Sequence, residues 1–223
     1  MLDQFLGALL FLFGFGSGGN VRGDSTPSAN IASVSSVLKT DIRQAELRFL
    51  ERQKKAVTQW ETKRASFSAS LKTIRTEKKK TQLETVQNRL NEINKNQTTR
   101  NMATLKKLNQ AVGEIEKRAQ LLSQESGKDS SDVISKLNTA NAAISDAIES
   151  VTLQAEKTYV MIISSEANVK KDFGVQRSAL ASDLKNVRDD VHNARKKVGD
   201  TLKALKNMTG TQVKILIEKV EPM

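Results

Sequence analysis

Cysteine is absent from the 223 residues, so neither a disulfide framework nor a thiolate metal site can be built. Histidine occurs once, at His192, among Arg188, Asp189, Asp190, Asn193 and Arg195. A lone imidazole on a charged helix face reads as a solvated side chain, and no second one exists to share a metal with it. Aromatic residues make up 4% of the chain and hydrophobic residues 38%, which is thin material for a large globular core. The two prolines stand near the ends, at Pro27 and Pro222, and six of the eleven glycines fall in the first 23 residues. From Ser28 to Val112 there is neither glycine nor proline. A series of strands and turns needs such breakers, whereas a continuous helix needs their absence.

What is present fits that reading. Thr26 is a candidate N-cap with Pro27 in the first helical position, and apolar residues then recur at alternating steps of three and four. Trp60, Phe67, Leu71 and Ile74 form one such stripe, and Leu83, Val86, Leu90 and Ile93 form another. Leu105, Leu108, Val112, Ile115, Ala119 and Leu122 continue the pattern, and in the second half it runs through Leu180, Leu184, Val187, Val191, Ala194, Val198, Leu202 and Leu205. Stripes two positions wide per seven call for a partner helix rather than a sheet. The segment Ser123 to Ser131 supplies the best turn, with Gly127 suited to a left-handed helix end and Asp129 or Ser130 to cap the next helix. Asp132 is well placed for that helix's N-terminal dipole. The expected fold class is all-α, a long antiparallel coiled-coil hairpin or an elongated helical bundle. Residues 1–27 form an apolar segment and Gly/Ser-rich linker, 28–125 a first helical arm, 126–131 the turn and 132–221 a second arm. Each arm is roughly 140 Å of helix if unbroken. The polar stretch Asn94 to Asn101 and Gly174 are the two places where an arm could break into a shorter three- or four-helix bundle.

The run from Phe5 to Phe15 is apolar and about 11 residues long, too short to span a bilayer and of the length of a signal-peptide core. Small residues follow, so cleavage is expected between Ser17 and Ala32, although Asp3 and the lack of Lys or Arg before the run depart from the usual pattern. An uncleaved membrane or partner anchor is the next alternative and a buried strand the last. Gly14, Gly16 and Gly19 match GxGxxG, but a dinucleotide turn must open a helix inside a βαβ unit, and no second strand follows. Arg22, Gly23, Asp24 and Ser25 resemble the adhesion tripeptide of extracellular matrix proteins, a match short enough to arise by chance. The apolar Phe/Gly segment ahead of a long helical region also resembles viral fusion subunits and some helical pore-forming toxins, without a C-terminal anchor.

Charge is unevenly spread. Lys39 to Lys107 holds 18 basic and 7 acidic residues, a net of +11, whereas Ser131 to Lys170 holds 3 basic and 5 acidic. Such a basic arm attracts anionic polymers or anionic lipid, if it does more than keep long helices soluble. The candidate polyanion contacts are Lys54, Lys55, Lys63, Arg64, Lys78, Lys79 and Lys80. No catalytic, cofactor or metal residues are assigned: serines lack triad partners and the carboxylates lie on exposed faces.

With Arg89, Leu90, Asn91, Ile93, then Gly127, Asp129, Ser131, Val133, Leu137, Ala140, Ile144 and Ala147, the middle of the chain resembles uncharacterised exported coiled-coil proteins common in small-genome candidate-phylum bacteria. That resemblance implies export and an all-α fold, and no activity or ligand. The expectation is a non-enzymatic, secreted or envelope-associated structural coiled coil that self-associates through its stripes and touches an anionic envelope polymer or lipid. A nucleic-acid or other polyanion binder is the second reading and a membrane-active helical protein the third.

Overall fold

The computed structural model describes residues 28–209, and side chains from Ile42 to Met208. The readings that concern the apolar N-terminal run, the glycine and RGDS motifs, the Thr26–Pro27 helix entry and Pro222 lie outside these residues. Four helices pack against one another, and no strand occurs among the described residues. They are α1 (Ser28–Leu71), α2 (Glu77–Ser126), α3 (Ser131–Glu156) and α4 (Val169–Thr209), the last preceded by a 3-10 turn at Glu166–Asn168.

The turn between α2 and α3 lies where glycine permits it. Gly127 has φ of 61° and donates its N–H to the Ser123 carbonyl, the single-residue left-handed ending that glycine adopts without a Cβ penalty. Asp129 accepts from the Ser131 N–H at 2.9 Å, and the Ser130 carbonyl takes the first bond of α3 from Ile134.

Among the described residues each expected arm is broken once, at neither of the expected places. The helix expected over 28–125 stops at Leu71 and restarts at Glu77, while Asn94 to Asn101 stay helical. No glycine or proline marks that break. The chain tightens instead through i→i+3 bonds from Lys72, Thr73 and Ile74, and the Ser70 and Thr73 hydroxyls take up carbonyls of the last turn. Ile74, 1% exposed, anchors the corner, and the Thr76 carbonyl accepts from Lys79 and Lys80 to begin α2. In the second arm Gly174 lies inside α4, and the break is Lys157–Ser165.

The chain divides into two compact units. Unit 1 includes residues 106–144 and 194–208, where Leu108, Val112, Ile115 and Ala119 of α2 are buried, as are Val133, Leu137, Ala140 and Ile144 of α3. Ala194, Val198 and Ala204 supply the α4 side, and the small side chains suit axes near the lower end of the usual 8–10 Å spacing. The Thr201 hydroxyl lies 3.1 Å from the Lys136 carbonyl and joins α4 to α3.

Unit 2 comprises residues 42–105 and 145–193. Here the break in the second arm takes the place of a helix. Tyr159, Met161 and Ile163 are buried, Val160 is half-buried and Ile162 is 57% exposed, the alternation of an extended chain. Arg52 of α1 contacts Glu156, and the Arg75 N–H reaches Glu166, so the ten residue steps from Glu156 to Glu166, which contain the strut Lys157–Ser165, run alongside 20 residues of α1 and the start of the corner. Ten extended residues reach about 33 Å and 20 helical residues about 30 Å, so the two lengths match. Phe67, Leu71, Leu83, Leu90, Leu180 and Leu184 close around Tyr159, Met161 and Ile163, with the Trp60 ring 6.0 Å from that of Phe67.

Candidate functional site

An extended chain among helices has backbone groups that no helix satisfies, and α2 answers them with amide side chains. Gln87, 0% exposed, donates Nε2 to the Tyr159 carbonyl at 2.5 Å and accepts the Met161 N–H at 2.8 Å on Oε1, as a neighbouring strand would. Two turns on, Asn94 Nδ2 donates to the carbonyls of Gln154 and Lys157 at 3.1 and 3.0 Å and caps the C-terminal end of α3. Gln154 Nε2 donates to Asn94 Oδ1 at 2.8 Å and to the Tyr159 hydroxyl at 2.7 Å. That hydroxyl donates to Asp183 Oδ2 at 2.6 Å, and Lys157 Nζ lies 3.0 Å from the same carboxylate. Burial, then the Asp183 contact, pushes the Tyr159 phenol well above its ordinary pKa and keeps it neutral. Burial works against ionisation of Asp183, but the bonds from Tyr159 and Lys157 outweigh it and hold its carboxyl below the usual range.

These contacts correct the expected stripe of Leu83, Val86, Leu90 and Ile93. Leu83 and Leu90 are buried, but Val86 is half-buried and Ile93 is 46% exposed, while Gln87, Asn94 and Thr98 hold the inward positions. The core of unit 2 needs amides there because it contains main chain, not only side chains. β-Branched residues at every second position, Thr158, Val160 and Ile162, were the available signal.

The candidate polyanion contacts all belong to unit 2 and fall into two groups. Lys54 and Lys55 lie 16 or more residues before the end of α1, about 24 Å of helix. Lys63 and Arg64 approach that end, and Lys78, Lys79 and Lys80 form the first turn of α2, so the corner brings these five toward one end of the unit. It also brings Lys72 and Arg75, which were not among the candidates. Lys79 pairs with Glu166 and Lys80 with Glu77, and Lys63 Nζ lies 3.4 Å from the Thr158 hydroxyl. Lys79 and then the Arg75 N–H hold the Glu166 carboxyl below its ordinary pKa. One turn after Glu166, the exposed Lys170 and Lys171 add to the same end. Lys54, Lys55, Arg64 and Lys78 have no ion-pair partner among the described residues. Lys78, Gln82, Thr85 and Arg89 share one face of α2 and line, with Thr81 and Val86, a shallow open trough of about 640 Å³. Cations within about one Debye length of 10 Å reinforce one another, so the corner presents a field to an anionic surface that scattered lysines would not. His192 is exposed, as a solvated residue should be, and no described helix is long and apolar enough to cross a membrane.

Comparison of the chain with protein-family models, with curated protein sequences and with solved structures gives no match.

Proposed function

We propose that this chain is a non-enzymatic structural and interaction protein, exported or held at the cell envelope, whose helices engage as coiled-coil pairs and whose α1–α2 corner rests on an anionic surface. The observation that carries the reading is the corner itself: Lys72, Arg75, Lys78, Lys79 and Lys80 fall within nine residues and are answered nearby by Glu77 and Glu166. Export rests on the apolar run Phe5 to Phe15 and on the resemblance to exported coiled-coil proteins. A nucleic-acid role would draw on the same charge. Residues 72–80 contain no aromatic side chain, which argues against base stacking there and for backbone or surface contact.

The test uses the full chain with vesicles of neutral lipid, vesicles containing anionic lipid, and duplex DNA. Binding to the anionic vesicles should exceed binding to the neutral ones and fall steeply as salt rises. The substitutions Lys72→Gln and Lys78→Gln together disturb no described ion pair, so they should weaken binding while leaving helicity intact. Lys78→Gln, Lys79→Gln and Lys80→Gln together should weaken it further. Salt-insensitive binding, or none at low salt, refutes a role for the corner, and a preference for DNA over anionic vesicles selects the nucleic-acid reading. N-terminal sequencing from the native host tests export, with a start between Ser17 and Ala32 expected and intact Met1 opposing it.

A further inference from the structure

The outer face of α1 carries a second apolar seam that the fold of unit 2 does not use. Leu47, Leu50 and Val57 are 68%, 52% and 54% exposed. With Arg43, Lys54 and Glu61 they recur at alternating steps of four and three, which at 100° per residue confines them to a band about 80° wide. The band is centred about 130° around the helix from Ile42, Ala45 and Phe49, the residues that face the core. Single exposed leucines need no explanation, but three apolar residues interleaved with charged ones at coiled-coil spacing form a seam without a partner among the described residues.

From this seam we infer that α1 pairs with α1 of a second copy of this chain, antiparallel, across a two-fold axis beside Arg52. The charges in the seam decide both occupant and direction. A parallel, in-register pair would stack Arg43 on Arg43, Lys54 on Lys54 and Glu61 on Glu61. The antiparallel pair sets Arg43 opposite Glu61 of the other copy, twice, and Leu47 opposite Val57. Lys54 then faces Leu50 with its ammonium beside Glu51 of the other copy, which offsets the approach of the two Glu51 carboxylates at the axis. A two-fold contact must be complementary to itself, and this sequence is. The chain's own apolar run Phe5 to Phe15 would fill the seam less well, because it has no charge to answer Arg43, Lys54 or Glu61. The seam from Arg43 to Glu61 is about 28 Å long, so the dimer is a concentration-dependent one rather than a permanent one. The inference does not depend on what the basic corner binds.

Because the chain has no cysteine, single cysteines report the pairing directly. Sedimentation equilibrium of the full chain should show a monomer–dimer equilibrium, and Leu50→Arg, which places a charge at the centre of the seam, should weaken it at least about 10-fold. The ellipticity and the Trp60 emission of that variant should be unchanged. Leu47→Cys mixed with Val57→Cys should form the mixed disulfide under mild oxidation, whereas Leu47→Cys alone should not cross-link with itself. A chain that stays monomeric at all accessible concentrations overturns the inference, whether the seam is bare or covered by the chain's own N-terminal run. So does equal cross-linking of Leu47→Cys with itself, which would mean a parallel pair, or a dimer that Leu50→Arg leaves intact.

Discussion

Gln87→Leu isolates the contribution of the amide that stands in for a neighbouring strand. Leucine is at least as good a helix former as glutamine and is similar in size, so α2 itself should not suffer. What is lost is the partner of two main-chain groups inside unit 2, the Tyr159 carbonyl and the Met161 N–H. Leaving a buried polar group unpaired costs about 1–3 kcal/mol, so the pair should cost about 2–6 kcal/mol. Water entering beside the half-buried Val160 would relieve part of that, which favours the lower end, about 3 kcal/mol. With a urea m-value of about 2 kcal/mol/M, the midpoint should fall by about 1.5 M. Trp60, the only tryptophan, packs on Phe67 in unit 2 and reports that unit by fluorescence. Gln82→Leu, five residues earlier on an exposed face of the same helix, is the control and should stay within about 0.5 kcal/mol of the parent. If Gln87→Leu matches Gln82→Leu, the strut is not held by that amide and the account of unit 2 fails.

Tyr159 is the only tyrosine, so its ionisation can be followed alone by phenolate absorbance. Its folded-state pKa is raised by burial and by Asp183, so its contribution to stability is complete below the unfolded value near 10 and is lost as pH rises through the folded value. The phenolate should therefore appear together with loss of ellipticity in alkali, and free titration near pH 10 with the helices intact would contradict the network described. Gly127→Ala places a Cβ at φ 61° with open space around it, so the cost is conformational alone, about 1 kcal/mol in thermal or urea unfolding. A neutral outcome would mean that the turn can adopt another backbone path.

The all-helical class and the glycine turn were legible in the sequence because both depend on local chemistry: a long stretch without breakers, a three-and-four repeat, one glycine between capping residues. The two breaks were not. Leu71 to Thr76 contains nothing that forbids helix, and the corner goes with burial of Ile74 in the core of unit 2, a tertiary effect that overrides propensity. Lys157–Ser165 was hidden differently. Its alternation of Tyr159, Met161 and Ile163 with Val160 and Ile162 covers too few residues to stand out from a helical stripe, and the amides that serve it are 60 to 74 residues away. Reading Ile93 into the stripe and Asn94 out of it followed from the premise that only side chains fill a core. For the basic corner, sequence supplied Lys78 to Lys80, but Lys72 and Arg75 joined them only once the helix was known to turn there.

The strut also sets how this chain tolerates change in length. One residue added to a helix turns everything beyond it by about 100° and can be absorbed over a few turns, but one residue added between Lys157 and Ser165 exchanges the two faces outright. Tyr159, Met161 and Ile163 would face water, and the Gln87 amide would meet the wrong main-chain groups. Adding two residues restores the faces but leaves about 7 Å of surplus chain between Glu156 and Glu166, whose partners on α1 and at the corner are fixed. Single-residue insertions and deletions should therefore be rare in this nine-residue stretch among related chains, while the exposed loop at Gly127, which has open space where a side chain would stand, can vary in length.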